Sequence, residues 1–463
     1  MDTRGDNVTL QLNYGTNDGG RRRDAAMARF RAHRFGQFIH WGLYSIPGGR
    51  WDGQDIDFAA EFLPRMAKVP PAEWEALAGQ FTAEAFDAEA WADTAAAMGA
   101  KYMTITTKHH DGFCLWPSAE TDFHIGNTPA GRDVLAELIA AYEARGIDVN
   151  FYYSVLDWHH PDWRYQLEND DDEAAFARYL DFAMKQLAEL AQRYPSVKAF
   201  WFDGTWDESV KKNGEWTWQV ERMLKDTIPG VIVNSRLRAD DHGARHFDSN
   251  GELMGDYESG YERRLPEPWD VSVTARDWEA CMTISQASWG YHQGDWAADT
   301  IKHPLDVVDM IAHCTSLGGN LLLNFGPRGD GSLQPVEQEL AARVGDWLTE
   351  FGEAIYGCGH APGWSPQGWG YFTRNDTDGT IFALVTRLPV SGRVRIQLPN
   401  GLGLAGLRSL SVSGEPASMR ELAESVVELD VSQCSPGPLG FALTTMRLDN
   451  RDALREPNPD VLT

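Results

Sequence analysis

Asp203 closes the run Ala199-Phe200-Trp201-Phe202 and is followed by Gly204. Four apolar residues that deliver one carboxylate read as a strand buried on both faces of a parallel sheet. The acid then stands at the strand's carboxyl end, where α/β barrels keep their chemistry, and a carboxylate there is a candidate nucleophile. The plainer reading is an aspartate that opens an Asp-Gly turn. Other runs end in the same manner. A first strand from Arg34 ends in His40-Trp41-Gly42, and a second ends in Lys108-His109-His110-Asp111-Gly112-Phe113. A third gives Tyr152-Tyr153-Ser154 with Asp157-Trp158-His159-His160 close behind, and a fifth gives Asn234-Ser235-Arg236. Such residues converge only if the strands close around one mouth.

Histidines in such a mouth suit either a metal ion or a polyhydroxylated ligand. Neighbouring residues of a regular strand face opposite sides, so His109 and His110 are not expected to share an ion. The chain has no H-x-H on its first strand and no HExxH on a helix, and no metal site is expected. Neutral imidazoles instead donate to and accept from hydroxyls.

The elements that must hold these residues alternate. Helices are expected over Phe86–Met98, stopped by Gly99, and over Asp133–Ala144, stopped by Gly146. Further helices are expected over Glu173–Arg193, Trp216–Lys225, Leu305–Thr315 and Pro335–Phe351. Strands are expected at 34–40, 101–107, 149–153, 199–203, 231–234, 281–284 and 320–324. This repeat implies a (β/α)8-like TIM barrel with long loops, with an open doubly wound sheet as its rival. No GxGxxG or GxxxxGK[ST] follows a strand, so nucleotide binding has no support. After residue 356 the runs shorten and alternate, at 369–373, 380–385, 394–398 and 407–412. The expected division is a catalytic barrel with an N-terminal extension over 1–355 and an antiparallel β-sandwich over 356–463.

The charge of −27 disfavours nucleic acid and anionic lipid as partners. No apolar stretch reaches membrane length, and Met1–Asn7 carries no secretory signal. Five widely spaced cysteines without a CxxC pair suggest reduced thiols, and the expected location is cytoplasmic. The 18 tryptophans fit sugar stacking as readily as core packing, so composition does not choose between them.

Six ordered motifs go further. They are Phe38–Pro47, Thr106–Phe113, Phe151–Ser154, Trp201–Gly204, Trp278–Ile284 and Gly318–Pro327. Together they resemble the α-L-fucosidases of glycoside hydrolase family 29. The resemblance implies a catalytic barrel followed by a β-sandwich, a retaining mechanism and no cofactor. It makes Asp203 the nucleophile and places His40, His109, His110, Tyr152, Trp201 and Arg236 against fucose. Trp289 matches an aromatic that packs on the sugar's methyl side. Glu61 falls near a family Glu-Trp pair in which Phe62 replaces the tryptophan. The second carboxylate belongs on the run Gly255–Arg264, where Glu262, Glu258 and Asp256 all remain open; a surface salt bridge to Arg263 or Arg264 is the plainer role for either glutamate. A two-carboxylate displacement would keep Asp203 ionised beside Arg236 and raise the pKa of the acid. The implied partner is a fucosylated oligosaccharide or glycoconjugate. The alternatives are a carbohydrate-binding relative without catalysis and a hydrolase of a related sugar such as an α-L-galactoside.

Overall fold

The computed structural model describes residues 24–238, 255–270, 276–286, 288–294, 301–387, 389–399, 418–423 and 425–430, with short pieces among 17–22, 273, 411–416, 432 and 444–446. Eight strands form its centre: β1 Phe35–Ile39, β2 Tyr102–Lys108, β3 Asp148–Ser154, β4 Ala199–Asp203, β5 Ile232–Val233, β6 Glu258–Glu262, β7 Trp278–Thr283 and β8 Asn320–Phe325. All neighbours run parallel in the order β6-β7-β8-β1-β2-β3-β4-β5. The two edges then meet. A parallel bridge joins Asn234 to Tyr257, with Ser235 N 2.9 Å from Tyr257 O and Asp256 N 2.8 Å from Val233 O. That closure makes a barrel of the sheet and rules out the open doubly wound rival.

Helix α1 Ala25–His33 leads into β1, and helices then follow among the strands: α2 Ala88–Met98, α3 Val134–Glu143, α4 Asp170–Arg193, α5 Gly214–Thr227, α6 Pro304–Ser316 and α7 Pro335–Phe351. Helix α2 starts where the Asp87 side chain accepts from the N–H groups of Glu89 and Ala90, and ends where Gly99 turns left-handed at φ 86°. Its face Trp91, Ala92, Ala95 and Met98 is buried. Helix α7 crosses it so closely that a Cβ on Gly345 would fall 1.7 Å from Ala97 O. Helix α4 begins three residues earlier than expected, because Asn169 caps it and the acidic run Asp170–Glu173 faces the positive end of the helix dipole.

Strand β6 is the main difference from the expected elements, which place no strand between 234 and 281. Glu258 pairs with Trp278, yet Tyr261 pairs with Ala280, so an extra residue is looped into β6. The bulge breaks the alternation a strand is recognised by.

Beyond α7 come β9 Cys358–His360, β10 Gly370–Asn375, β11 Ile381–Val385, β12 Arg393–Gln397, β13 Ser411–Val412, β14 Glu415–Pro416, β15 Ser418–Ala423, β16 Val426–Asp430 and β17 Thr444–Met446. They form two antiparallel sheets, β9-β10-β11-β17-β13-β14 and β12-β16-β15. Phe372, Ala383, Val394, Ile396 and Leu429 belong to the core they share. The alternate residues Tyr371, Phe382 and Leu384 join the barrel's own core, and the Tyr371 hydroxyl donates to Asp309 of α6 at 3.1 Å. Residues 407–410 of the expected strand 407–412 lie outside the described residues. Among the described residues no helix is long and apolar enough to cross a membrane, and Cys114, Cys281, Cys314 and Cys358 are buried free thiols.

Candidate active site

Asp203 ends β4, and Gly204 turns the chain at φ 75° with so little room that a Cβ would meet Leu156 N at 2.6 Å. The turn leaves the Asp203 side chain in the mouth of the barrel, 14% exposed. Its Oδ1 accepts from Arg236 Nη1 at 3.1 Å and its Oδ2 from the Tyr152 hydroxyl at 3.2 Å. Arg236 stands on a single turn, Ser235–Leu237, directly after β5. Its Nε and Nη2 donate to Ser259 O, its Nη2 also donates to Glu262 Oε2 at 2.8 Å, and its guanidinium lies 4.6 Å from the Trp201 ring. One guanidinium therefore holds both carboxylates.

The charges do not divide as the sequence suggests. Burial pushes Asp203 above the usual carboxylate range, and the charge of Glu262 adds to that against the pull of Arg236. Glu262 is also desolvated, but Arg236, with help from Arg263, holds it below its usual range. Two differences explain the direction: Glu262 is less desolvated, its side chain 33% exposed against 14% for Asp203, and Arg236 is closer to Glu262 than to Asp203.

Three imidazoles complete the polar wall, all kept neutral. Burial lowers His40 and His110 to about 3 and takes His109 well below its ordinary value. Their tautomers follow from neighbours. Asn324 Nδ2 donates to Trp289 O, which turns its Oδ1 towards His40 Nδ1 at 2.6 Å. The Ser154 hydroxyl donates to Leu156 O, so it accepts from His110 Nδ1 at 2.6 Å. In both rings Nε2 is left as an acceptor. His110 Nε2 lies 3.8 Å from Asp203 Oδ2. His109 stacks on Tyr152, which stacks on Trp201. Two buried polar atoms, His109 Nδ1 and Glu61 Oε1, have no hydrogen-bond partner among the described residues. Glu61 Oε2 accepts from Gly290 N at 2.9 Å, and burial raises its carboxyl to about 7. Buried polar atoms without partners are the places where a ligand hydroxyl recovers a hydrogen bond.

These side chains line one cavity of about 100 Å³, whose apolar wall is Phe38, Phe62 and Trp289. The expected residues His40, Glu61, His109, His110, Tyr152, Trp201, Asp203, Arg236, Glu262 and Trp289 all line it. Glu258 and Asp256 do not. The bulge between them and Glu262 reverses which side each residue faces, and Glu258 Oε1 accepts from Gly260 N. Asp256 is committed to Arg22 and Lys225, each at 2.8 Å. His109 and His110 reach the same cavity, contrary to the alternation argument, because β2 ends at Lys108 and both lie in the turn beyond it. Among the described residues no group of His, Cys, Asp and Glu could hold a metal ion. The sequence reading did not single out Asn324 or Glu279, and it named Ser154 only within the run that ends β3. Glu279 accepts from the Trp201 indole at 3.1 Å and the Tyr102 hydroxyl at 2.6 Å. A polar residue within an apolar strand, as in Leu321-Leu322-Leu323-Asn324, was the available signal.

A closed parallel barrel with paired carboxylates among imidazoles and aromatic rings at its mouth defines a glycoside hydrolase. The chain belongs to the α-L-fucosidase family, whose model, described as Alpha-L-fucosidase, matches residues 6–353. It is similar to the tissue alpha-L-fucosidase of Rattus norvegicus, 32% identical over 88% of this chain and 86% of the rat protein. It is also similar to the crystal structure of an alpha-L-fucosidase of family GH29 from Bacteroides thetaiotaomicron, at 48% identity and TM-score 0.88, covering 96% of this chain and 99% of that one. Another structure of an alpha-L-fucosidase from that organism is a covalent intermediate trapped with 2-fluoro-fucosyl fluoride in a Glu-to-Gln mutant; it has 49% identity and TM-score 0.88, covering 95% and 99%. The chain is thus a glycoside hydrolase acting on α-L-fucosides.

Proposed function

We propose that the enzyme removes terminal α-L-fucosyl residues from fucosylated oligosaccharides or glycoconjugates by double displacement, with Asp203 as nucleophile and Glu262 as acid/base. The observation that carries this reading is the shared guanidinium: Arg236 contacts Asp203 at 3.1 Å and Glu262 at 2.8 Å across one small cavity. A retaining pair stands about 5–5.5 Å apart, a spacing one guanidinium can bridge. The covalent intermediate trapped in the Bacteroides relative supports the same chemistry. A cavity of about 100 Å³ suits a single ring, which supports action on chain ends.

In the first step an Asp203 oxygen bonds to the anomeric carbon as the bond to the glycosidic oxygen breaks, and Glu262 gives that oxygen a proton. In the second step Glu262 takes a proton from water, the water oxygen bonds to the anomeric carbon, and Asp203 leaves as carboxylate. Two inversions give net retention. Tyr152 and Arg236 stabilise the departing Asp203 charge through the hydrogen bonds they already make. His40 and His110 accept sugar hydroxyls at Nε2, and Trp289 and Phe38 cover the apolar side of the ring.

Asp203→Gly tests the assignment. Activity on an aryl α-L-fucoside should fall by several powers of ten, and added azide should restore turnover with β-L-fucosyl azide as product. Undiminished activity, or azide rescue with the α-anomer, removes Asp203 from the role.

A further inference from the structure

The described residues that expose large apolar side chains are few, and Phe58, Met66, Tyr165 and Trp206 are among them. These four come from the segments that follow β1, β3 and β4, all at the catalytic end of the barrel. The three aromatic ones do not stand singly. Phe58 meets Phe62 edge-on at 5.3 Å, Phe62 meets Trp158 at 5.4 Å, and the Arg65 guanidinium lies over both Trp158 and Tyr165. His110, in the wall of the fucose cavity, joins the group from inside: its ring is 5.3 Å from Trp158 and 5.5 Å from Trp206. Trp206 is 43% exposed and also borders the cavity, so the aromatic surface runs from the pocket wall to solvent without a break. Exposed aromatic rings that touch one another and continue into a cavity are the surface expected of a binding face.

The occupant follows from the size of the cavity. It takes one ring, so the group bonded to the anomeric carbon must leave through the mouth. We propose that Trp206, Trp158 and Phe58 are the platform for the pyranose ring to which fucose is attached, and that the enzyme selects fucosylated saccharides over fucosides of small alcohols. This rests on the fucosidase reading above. A pyranose has an apolar C–H face that suits an aromatic ring, and hydroxyl edges that suit Arg65 at the rim. The neighbouring Lys108–Asp157 ion pair fixes the segment that carries Trp158: Asp157 Oδ1 accepts from the N–H groups of His159 and His160, and Trp158 N donates to His110 O.

The test compares α-L-fucosyl fluoride, which has no leaving ring, with a panel of α1,2-, α1,3-, α1,4- and α1,6-linked fucosyl disaccharides. Aryl fucosides are unsuitable because their aglycone could stack as well. In Trp206→Ala, kcat/KM for the best disaccharide should fall about tenfold relative to that for the fluoride, the size of one aromatic contact. Trp206→Phe should recover most of the ratio. An unchanged ratio overturns the proposal. So does an unchanged ratio accompanied by a shift from dimer to monomer in sedimentation, which would give the face to a second copy of the chain. Calorimetry separates this from the mechanism. In an Asp203→Asn background, Trp206→Ala should weaken the intact disaccharide about tenfold relative to L-fucose. Cleavage of the disaccharide by Asp203→Asn would count against the nucleophile assignment while leaving the platform ratio measurable.

Discussion

Arg236 Nη2 lies 2.8 Å from Glu262 Oε2, closer than its Nη1 lies to Asp203 Oδ1 at 3.1 Å. The arginine thus favours the ionised form of the residue assigned as acid more than that of the nucleophile. The proposed displacement needs Asp203 charged and Glu262 protonated, and both shifts oppose that state: Asp203 is raised and Glu262 is lowered. The pair titrates as a unit, so its limbs belong to the pair. The kcat/KM profile should be a narrow bell with its maximum below neutrality, falling at acid pH as Asp203 protonates and at higher pH as Glu262 loses its proton. A cation lowers the pKa of each carboxylate, so removing it raises both. In Arg236→Gln both limbs should move to higher pH, on a rate reduced by loss of the hydrogen bond to Asp203. A bell that stays in place would show that Arg236 does not set these values.

Glu262 and Glu258 are separated by chemistry that each would or would not support. Glu262→Ala should slow turnover of unactivated fucosides by about 10²–10⁴-fold, the range for a general acid. Azide should then accelerate the variant on an activated substrate and yield α-L-fucosyl azide, the retained anomer, because Asp203 still forms the intermediate. Glu258→Ala should show no azide dependence, since Glu258 lies outside the cavity and hydrogen-bonds to Gly260 N. The reverse pattern would exchange the two assignments.

Much of this site was legible because a barrel writes its chemistry at strand ends. Asp203, His40 and Arg236 each follow an apolar run, and ten of the expected residues line one cavity. Choosing between Glu258 and Glu262 was not possible from spacing, because the β6 bulge breaks the two-residue period that spacing arguments assume. The same limit produced the opposite-face argument for His109 and His110, which holds for a strand but not for the turn past Lys108. Glu279 was hidden for another reason. Its role is to hold Trp201, a contact between β7 and β4 that no local pattern records. Helix bounds came out well where a cap is written into the chain, as at Asp87 and Gly99.

Four fully buried carboxyls give the fold a pH signature. Burial raises Glu61, Asp111 and Glu279 to about 7 and Glu337 to about 8. A folded value above the unfolded one contributes stability that is complete below the ordinary carboxylate range and is lost as pH rises through the folded value. Lowered groups act in the opposite sense. Glu221, held at about 2 by Lys225 and Arg238 against burial, loses its contribution as pH falls. The buried neutral imidazoles His40, His109 and His110 also lose stability as pH falls below their ordinary value and offset the carboxyls there, so the melting temperature should hold nearly level from about pH 5 to 6.5 and decline towards pH 8, as read by calorimetry across that range. Glu337→Gln cannot ionise, keeps an oxygen for Gly326 N, and should flatten the decline. A melting temperature that rises from pH 5 to 8 would contradict the assignment.

Lys108 and Asp157 form an ion pair at 3.0 Å with both side chains almost fully buried, and the ammonium lies 4.5 Å from the Tyr153 ring. Burial alone would lower the lysine and raise the aspartate, yet each is shifted the other way by its partner. Removing one charge strands the other, so Lys108→Met should cost about 3–5 kcal/mol in urea denaturation. The double variant Lys108→Met with Asp157→Asn should regain much of that loss, since asparagine keeps the oxygen that accepts from His159 and His160. If the double variant is as unstable as the single one, the loss comes from packing around the lysine stem and not from an unpaired aspartate. Activity adds a second readout: Asp157 anchors the turn that places Trp158 beside His110, so Lys108→Met should slow disaccharide cleavage more than fucosyl fluoride hydrolysis at a temperature where the variant is folded.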